Sequence, residues 1–139
     1  MPSTTLDRSE RLVTAVTVLV VDDAPDMRRL ARAVLEKAGL QVIGEAVDGL
    51  DALERIQELN PPPVPRVILL DNRMPGLTGL EVAAQILARR PDQLIVLFSG
   101  YLDEDIQARA AELGIAACVS KSDVFQLAGV INSLASSPC

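Results

Sequence analysis

The chain contains no histidine. That single absence removes a histidine base, a histidine-ligated metal and a phosphohistidine carrier from consideration. Aromatic residues are nearly missing as well: no tryptophan, one tyrosine and two phenylalanines. Any core must therefore be aliphatic, and with hydrophobic residues at 49% there is enough material for one. There is no excess of positive charge. The net charge is −6 and the pI about 4.6, whereas contact with nucleic-acid phosphates needs a basic face. Direct nucleic-acid binding is not expected. No apolar run exceeds five residues, too short to span a bilayer. Met1 to Arg11 lack the apolar centre of a signal peptide. The expectation is a cytoplasmic protein without membrane insertion. The two cysteines, Cys118 and Cys139, have no metal-site spacing and read as free thiols in a reducing compartment.

What is present is an alternation of short apolar runs and helical patterns. Residues 1–15 read as a flexible polar lead, 16–135 as one domain, and 136–139 as a tail. Val16 to Val21 is a β-branched run ending in Asp22-Asp23. Pro25 suits a first helical turn, Leu30, Val34, Leu35 and Ala38 recur at helical spacing, and Gly39 is placed as a stop. Gln41 to Ala46 reads as a second strand. Leu50, Leu53 and Ile56 mark a second helix ending before Asn60. Pro61-Pro62-Pro63-Val64-Pro65 is an extended connector. Arg66 to Leu70 is a third strand, ending in Asp71. Thr78 and Glu81 have capping-box spacing and open a third helix. Leu94 to Phe98 is a fourth strand ending in Ser99, Asp103 to Leu113 a fourth helix, and Ala116 to Ser120 a fifth strand followed by Lys121. Val124, Leu127, Ile131 and Leu134 predict a last helix. The pattern is (βα)5. Near-continuous apolar strands are buried on both faces, as in a parallel sheet. The expected fold is α/β, a doubly wound flavodoxin-like sheet with strand order 2-1-3-4-5.

In such a sheet ligands gather at the carboxyl ends of the strands. There stand Asp22-Asp23, Asp71, Ser99 and Lys121. One polar residue at a strand end means little, because chains surface there. Their joint occurrence is informative. At about 4 Å and an effective dielectric near 20, each pair of carboxylates repels by on the order of 4 kcal/mol. Such a cluster recruits a cation or raises a carboxylate pKa. An all-oxygen set with few carboxylates suits Mg²⁺. A dication, an ammonium and a hydroxyl together suit a transferring phosphoryl group, with Asp71 as its nucleophilic acceptor.

Asp22-Asp23, the string Asp71-Asn72-Arg73-Met74-Pro75-Gly76-Leu77-Thr78-Gly79, Ser99-Gly100 and Lys121 resemble the bacterial two-component response-regulator receiver family, of the stand-alone chemotaxis-regulator kind. The resemblance covers roughly residues 16 to 135. It implies that Asp71 is the phosphoacceptor and Asp23 a direct Mg²⁺ ligand. Asp22 acts mostly through metal-bound water, and Asp71 and the backbone carbonyl of Arg73 complete the protein ligands. It implies that Ser99 is the switch hydroxyl and Lys121 the cation that pairs with the phosphoryl group. Met74, Pro75 and Gly79 have structural roles. Two departures stand out: Cys118 lies where the family usually has an aromatic, and Ser122 where many members have proline. With Ser99, Tyr101 and Cys118 as the switch region, the packing change that accompanies switching is therefore expected to run through Tyr101 and the fourth helix, Asp103 to Leu113, with the fifth strand and its Cys118 nearly passive. Arg73 and Tyr101 are expected to flank the path of attacking water.

The implied function is a signalling switch, not a turnover enzyme beyond its own phosphorylation and dephosphorylation. A sensor histidine kinase or phosphotransfer protein would donate the phosphoryl group, and an unknown protein would read the output. A homodimer is left open. One alternative is the receiver fragment of a longer transcriptional regulator. Another is a small aspartyl-phosphate phosphotransferase, which would want a second acid where Arg73 stands. A flavodoxin-like cofactor binder fits poorly, because Asp22-Asp23 repels phosphate unless a metal is bound.

Overall fold

The computed structural model describes residues 15–58 and 64–136. Residues 1–14, 59–63 and 137–139, Cys139 among them, lie outside the described residues. The elements alternate strictly. Strand β1 (Thr17–Val21) is followed by helix α1 (Pro25–Lys37), β2 (Gln41–Ala46), α2 (Gly49–Glu58) and β3 (Val67–Leu70). Then come α3 (Gly79–Arg89), β4 (Leu94–Ser99), α4 (Glu104–Leu113) and β5 (Ala117–Ser120). A 3-10 turn (Lys121–Gln126) leads into α5 (Leu127–Ala135). All neighbouring strands pair in parallel, in the order β2-β1-β3-β4-β5. The expected fold and strand order are both found.

The sheet is buried on both faces, and residue alternation splits the core in two. Leu19, Val21, Ile68, Leu70, Ile95 and Leu97 face α2, α3 and α4. Val18, Val20, Val67, Leu69, Val96 and Phe98 face α1 and α5. Both faces of β3 and most of β4 are sealed, which is why these strands read as unbroken apolar runs. Each such Leu or Ile contributes roughly 1.5–3 kcal/mol by leaving water.

Helix boundaries follow local chemistry. Pro25 opens α1, and Gly39, at φ 89°, turns the chain out of it. The capping box at Thr78 is complete: its hydroxyl accepts from Glu81 N, and the Glu81 carboxylate accepts from Thr78 N. Asp103 caps α4 by accepting from Ile106 N.

Three expectations are corrected. In α1 the sheet-facing pair is Ala31 and Leu35, leaving Leu30 39% exposed and Ala38 exposed. In α2 Ala52 and Ile56 face inward and Leu50 is 63% exposed. In both helices a small alanine lets the helix approach the sheet and displaces the larger leucine to the flank. The last helix begins as a 3-10 turn with a kink at Asp123 (φ −104°, ψ 30°). Ser120 caps the turn by accepting from Ser122 N.

Gly79 is where the sheet and the third helix meet most closely. A Cβ there would lie 2.3 Å from the Asp71 carbonyl oxygen and 2.8 Å from Asn72 Cα. Both obstacles are backbone, so neither can swing aside. Gly129, in α5, has nothing within 4 Å of the same position. We expect Gly79→Ala to cost roughly 1–3 kcal/mol of stability and Gly129→Ala to add about 0.5–1 kcal/mol. Urea denaturation of the two variants measures both signs.

Candidate phosphoacceptor site

Two strand ends deliver the three acids, Asp22 and Asp23 after β1 and Asp71 after β3. The sheet ladder continues past the strands, with Asp71 N donating to Val21 O at 3.0 Å and Asp22 N to Ala46 O at 3.1 Å. Backbone pairing thus fixes where the first two carboxylates stand. Asp22 is 2% exposed and Asp71 4%, while Asp23 is exposed. One carboxylate oxygen from each lies within 4.8 Å of the others.

One cation answers them. Lys121 Nζ lies 2.8 Å from Asp22 Oδ2 and 3.3 Å from Asp71 Oδ2. Burial lowers the Lys121 ammonium's pKa, but the two carboxylates outweigh it and hold the pKa above the ordinary lysine value. Burial, and then the charge of Asp22, push the Asp71 carboxyl up, with Lys121 pulling against them. Desolvation and repulsion win at Asp71, so the pocket is short of positive charge. The oxygens of Asp22 show the same shortage. Oδ1 accepts from Ala24 N at 2.9 Å. Oδ2 is buried and, among the described residues, accepts no hydrogen bond. Its contact with Lys121 is electrostatic, outside good hydrogen-bond direction. A buried oxygen lone pair left over, beside two further carboxylates, fits a small hard dication with all-oxygen ligands.

The cleft above the acids has a volume of about 440 Å³ and is lined by Asp23, Asp71, Arg73, Ser99, Gly100, Tyr101 and Lys121. The residues singled out from the sequence therefore come together, apart from Cys118. Ser99 is buried at the end of β4, and its Oγ accepts from Tyr101 N at 3.2 Å. Among the described residues it donates to none, which leaves its own proton for another acceptor. The Arg73 guanidinium sits 4.6 Å from the centre of the Tyr101 ring, a cation–π contact across the cleft mouth. Cys118 is half-buried beside Leu97 and packs on the α2–α4 side of the sheet. Burial pushes its thiol pKa up, the opposite of an activated thiolate.

Two supports were not legible in advance. Asn72 is buried, and its Oδ1 accepts from Leu80 N while its carbonyl accepts from Gly79 N. It staples the loop after Asp71 to the start of α3. Arg28 Nη1 donates to the Asp22 carbonyl at 2.7 Å, and its Nε donates to Glu45 at 3.1 Å. Arg32 donates to the other Glu45 oxygen at 2.7 Å. The hydrogen bond from Arg32, with help from Arg28, holds the Glu45 carboxyl below the usual range against a smaller effect of burial. The available signal was an acid inside strand β2 opposite two arginines four residues apart on α1.

Comparison with known proteins agrees with this geometry. The model of the response regulator receiver domain family matches residues 18–131. The chain is 31% identical over 117 residues to the chemotaxis protein CheY of Thermotoga maritima, covering 84% of this chain and 92% of that protein. It is 41% identical over 109 residues to protein-glutamate methylesterase/protein-glutamine glutaminase 5 of Myxococcus xanthus, covering 73% of this chain but 30% of that enzyme. The chain spans under a third of the length of the methylesterase relatives it matches, so their activity is said of those proteins alone. The signal receiver domain of the response regulator NarL from Mycobacterium tuberculosis superimposes with a TM-score of 0.80 at 31% identity, covering 89% of this chain and 98% of that one. Among the described residues no helix is long and apolar enough to cross a membrane. The chain belongs to the response-regulator receiver family.

Proposed function

We propose that the phosphorylation-dependent switching of this receiver operates through Asp71 as phosphoacceptor. The observation that carries the assignment is the convergence of Asp22, Asp23 and Asp71 within 4.8 Å, with Lys121 bridging two of them, beneath an open cleft. A carboxylate oxygen of Asp71 attacks phosphorus, the bond from phosphorus to the donor's imidazole nitrogen breaks, and the leaving imidazole is reprotonated. The donor is a sensor histidine kinase or a phosphotransfer protein, and the output is a protein contact, both in the cytoplasm.

Asp23, Asp71 and the backbone carbonyl of Arg73 would hold Mg²⁺, with Asp22 acting through water. When bound, Mg²⁺ supplies charge neutralisation for phosphoryl oxygens. Lys121 exchanges part of its contact with Asp71 for the incoming phosphoryl group. Ser99 has a free proton and turns to donate it, releasing a 3.2 Å bond from Tyr101 N. That release frees the backbone after β4, so loop and hydroxyl move together. A phosphotransferase with a second acid two residues after the nucleophile is disfavoured, because Arg73 stands there and is engaged by Tyr101.

Incubation with acetyl phosphate and Mg²⁺ should add one hydroxylamine-sensitive phosphoryl group to the wild type, read by intact mass. Asp71→Asn should add none, and full labelling of that variant would remove the assignment.

Stability without metal gives a second test. The folded state holds the Asp71 proton to higher pH than the unfolded chain does. Its ionisation therefore weakens the fold as pH rises from the ordinary carboxyl range through the raised value, and the cost persists above it. Metal-free Asp71→Asn should melt a few degrees above wild type at neutral pH, and the gap should close below the ordinary carboxyl range. Calorimetry across that range reads both effects.

The Arg73–Tyr101 stack lies across the approach to Asp71 and shields an acyl phosphate there from water. Replacing both residues with alanine should shorten the phosphoryl half-life several-fold. An unchanged half-life would show that the stack leaves the water path open.

A further inference from the structure

The peptide plane between Asp22 and Asp23 sets how these two neighbouring acids are aimed, and it is held by one side chain. Asp22 has three other ties. Its N–H donates to Ala46 O, its Oδ1 accepts from Ala24 N, and its Oδ2 faces Lys121. None of them acts on the plane that leads on to Asp23, which carries the Asp22 carbonyl and the Asp23 N–H. The carbonyl accepts from Arg28 Nη1 at 2.7 Å. Among the described residues neither the Asp23 N–H nor the Asp23 carboxylate has a hydrogen bond or an ion pair. The aim of Asp23 therefore depends on backbone that Arg28 alone holds.

Arg28 reaches that carbonyl from near the start of α1, with 16% of its side chain exposed. The guanidinium is fixed on its other side too. Nε donates to Glu45 Oε1 at 3.1 Å, and Arg32 Nη1 occupies Glu45 Oε2 at 2.7 Å. Glu45 in turn is placed by β2, in register with Val20 of β1. Strand, helix and acidic loop thus meet in one planar group.

We propose that Arg28 is a positioning residue for the dication, holding the Asp22–Asp23 peptide so that both carboxylates stand ready for the metal. This rests on the reading of Asp22, Asp23 and Asp71 as the Mg²⁺ site. Arg28 acts on a dication in two opposed ways. As a charge it repels, so its removal would tighten binding. As a tether it orders Asp23 in advance, so its removal would loosen binding. The tether prevails, because Glu45 offsets the charge and no second donor stands by to take the carbonyl. Arg32 separates the two effects. It brings the same charge to the same glutamate, but it bonds to Glu36 and Glu45 and to neither acid of the loop.

Titration calorimetry of the full chain with magnesium chloride alone tests this. Arg28→Met keeps the length and helix propensity of the side chain and should weaken Mg²⁺ binding about tenfold. Arg32→Met loses the same charge and should stay within about twofold of wild type. Arg28→Lys keeps the charge without the fork that serves the carbonyl and Glu45 together, and should weaken binding about threefold. Labelling with acetyl phosphate gives a second readout. Arg28→Met should need about tenfold more Mg²⁺ for half-maximal rate and reach the wild-type rate at saturation. Binding by Arg28→Met as tight as wild type or tighter, or an equal loss in Arg32→Met, would overturn the proposal. So would a lower saturating rate at unchanged metal affinity. If circular dichroism shows Arg28→Met unfolded, Arg28→Lys decides, and wild-type affinity in that variant overturns the proposal equally. A wild type that binds no Mg²⁺ would remove the metal site and the tether together, whereas binding indifferent to Arg28 removes the tether alone.

Discussion

Repulsion between nearly buried carboxylates is the constraint around which this molecule is arranged. Asp22 and Asp71 are both close to fully covered, and a third acid stands beside them. Unpaired, such charges would open the edge of the sheet. Lys121 reaches them from the end of β5, held by the turn that Ser120 caps. Its single charge faces three. That deficit is what suits the cluster to a dication with all-oxygen ligands.

Rigid backbone keeps the repulsion from relaxing outward. The ladder bonds from Asp22 N and Asp71 N pin the two acids to neighbouring strands. Gly79 allows α3 to close directly on the Asp71 carbonyl, and Asn72 ties the intervening loop to the same helix. The binding edge is therefore preorganised, with strain carried by charge and not by backbone dihedrals: among the described residues only glycines have positive φ.

Much of this could be read from residues in order. Apolar runs broken by Asp, Ser and Lys at their ends gave the strands, their parallel pairing and the residues that converge, because strand ends are where the chain must both surface and carry ligands. What escaped reading depends on reach across space. Arg28 contacts a carbonyl six residues back and a carboxylate seventeen residues ahead, and no local period encodes that. The outward turn of Leu30 and Leu50 escaped for a related reason. A helix settles by its smallest sheet-facing side chains, Ala31 and Ala52, while pattern reading weights the largest. The 3-10 turn before α5 escaped too: it opens on a serine hydroxyl cap, a group that periodicity ignores.

The Arg28 bridge has a consequence for how distant events are linked. Its guanidinium joins α1 and β2 to the carbonyl of Asp22, so the orientation of α1 and the shape of the acidic loop share one set of hydrogen bonds. Two sites that share such a set exchange free energy symmetrically. A change in the tilt of α1 and a change in the shape of the acidic loop therefore bear on each other through the same bonds. A loop built this way answers to the helix beside it as well as to the acids it carries.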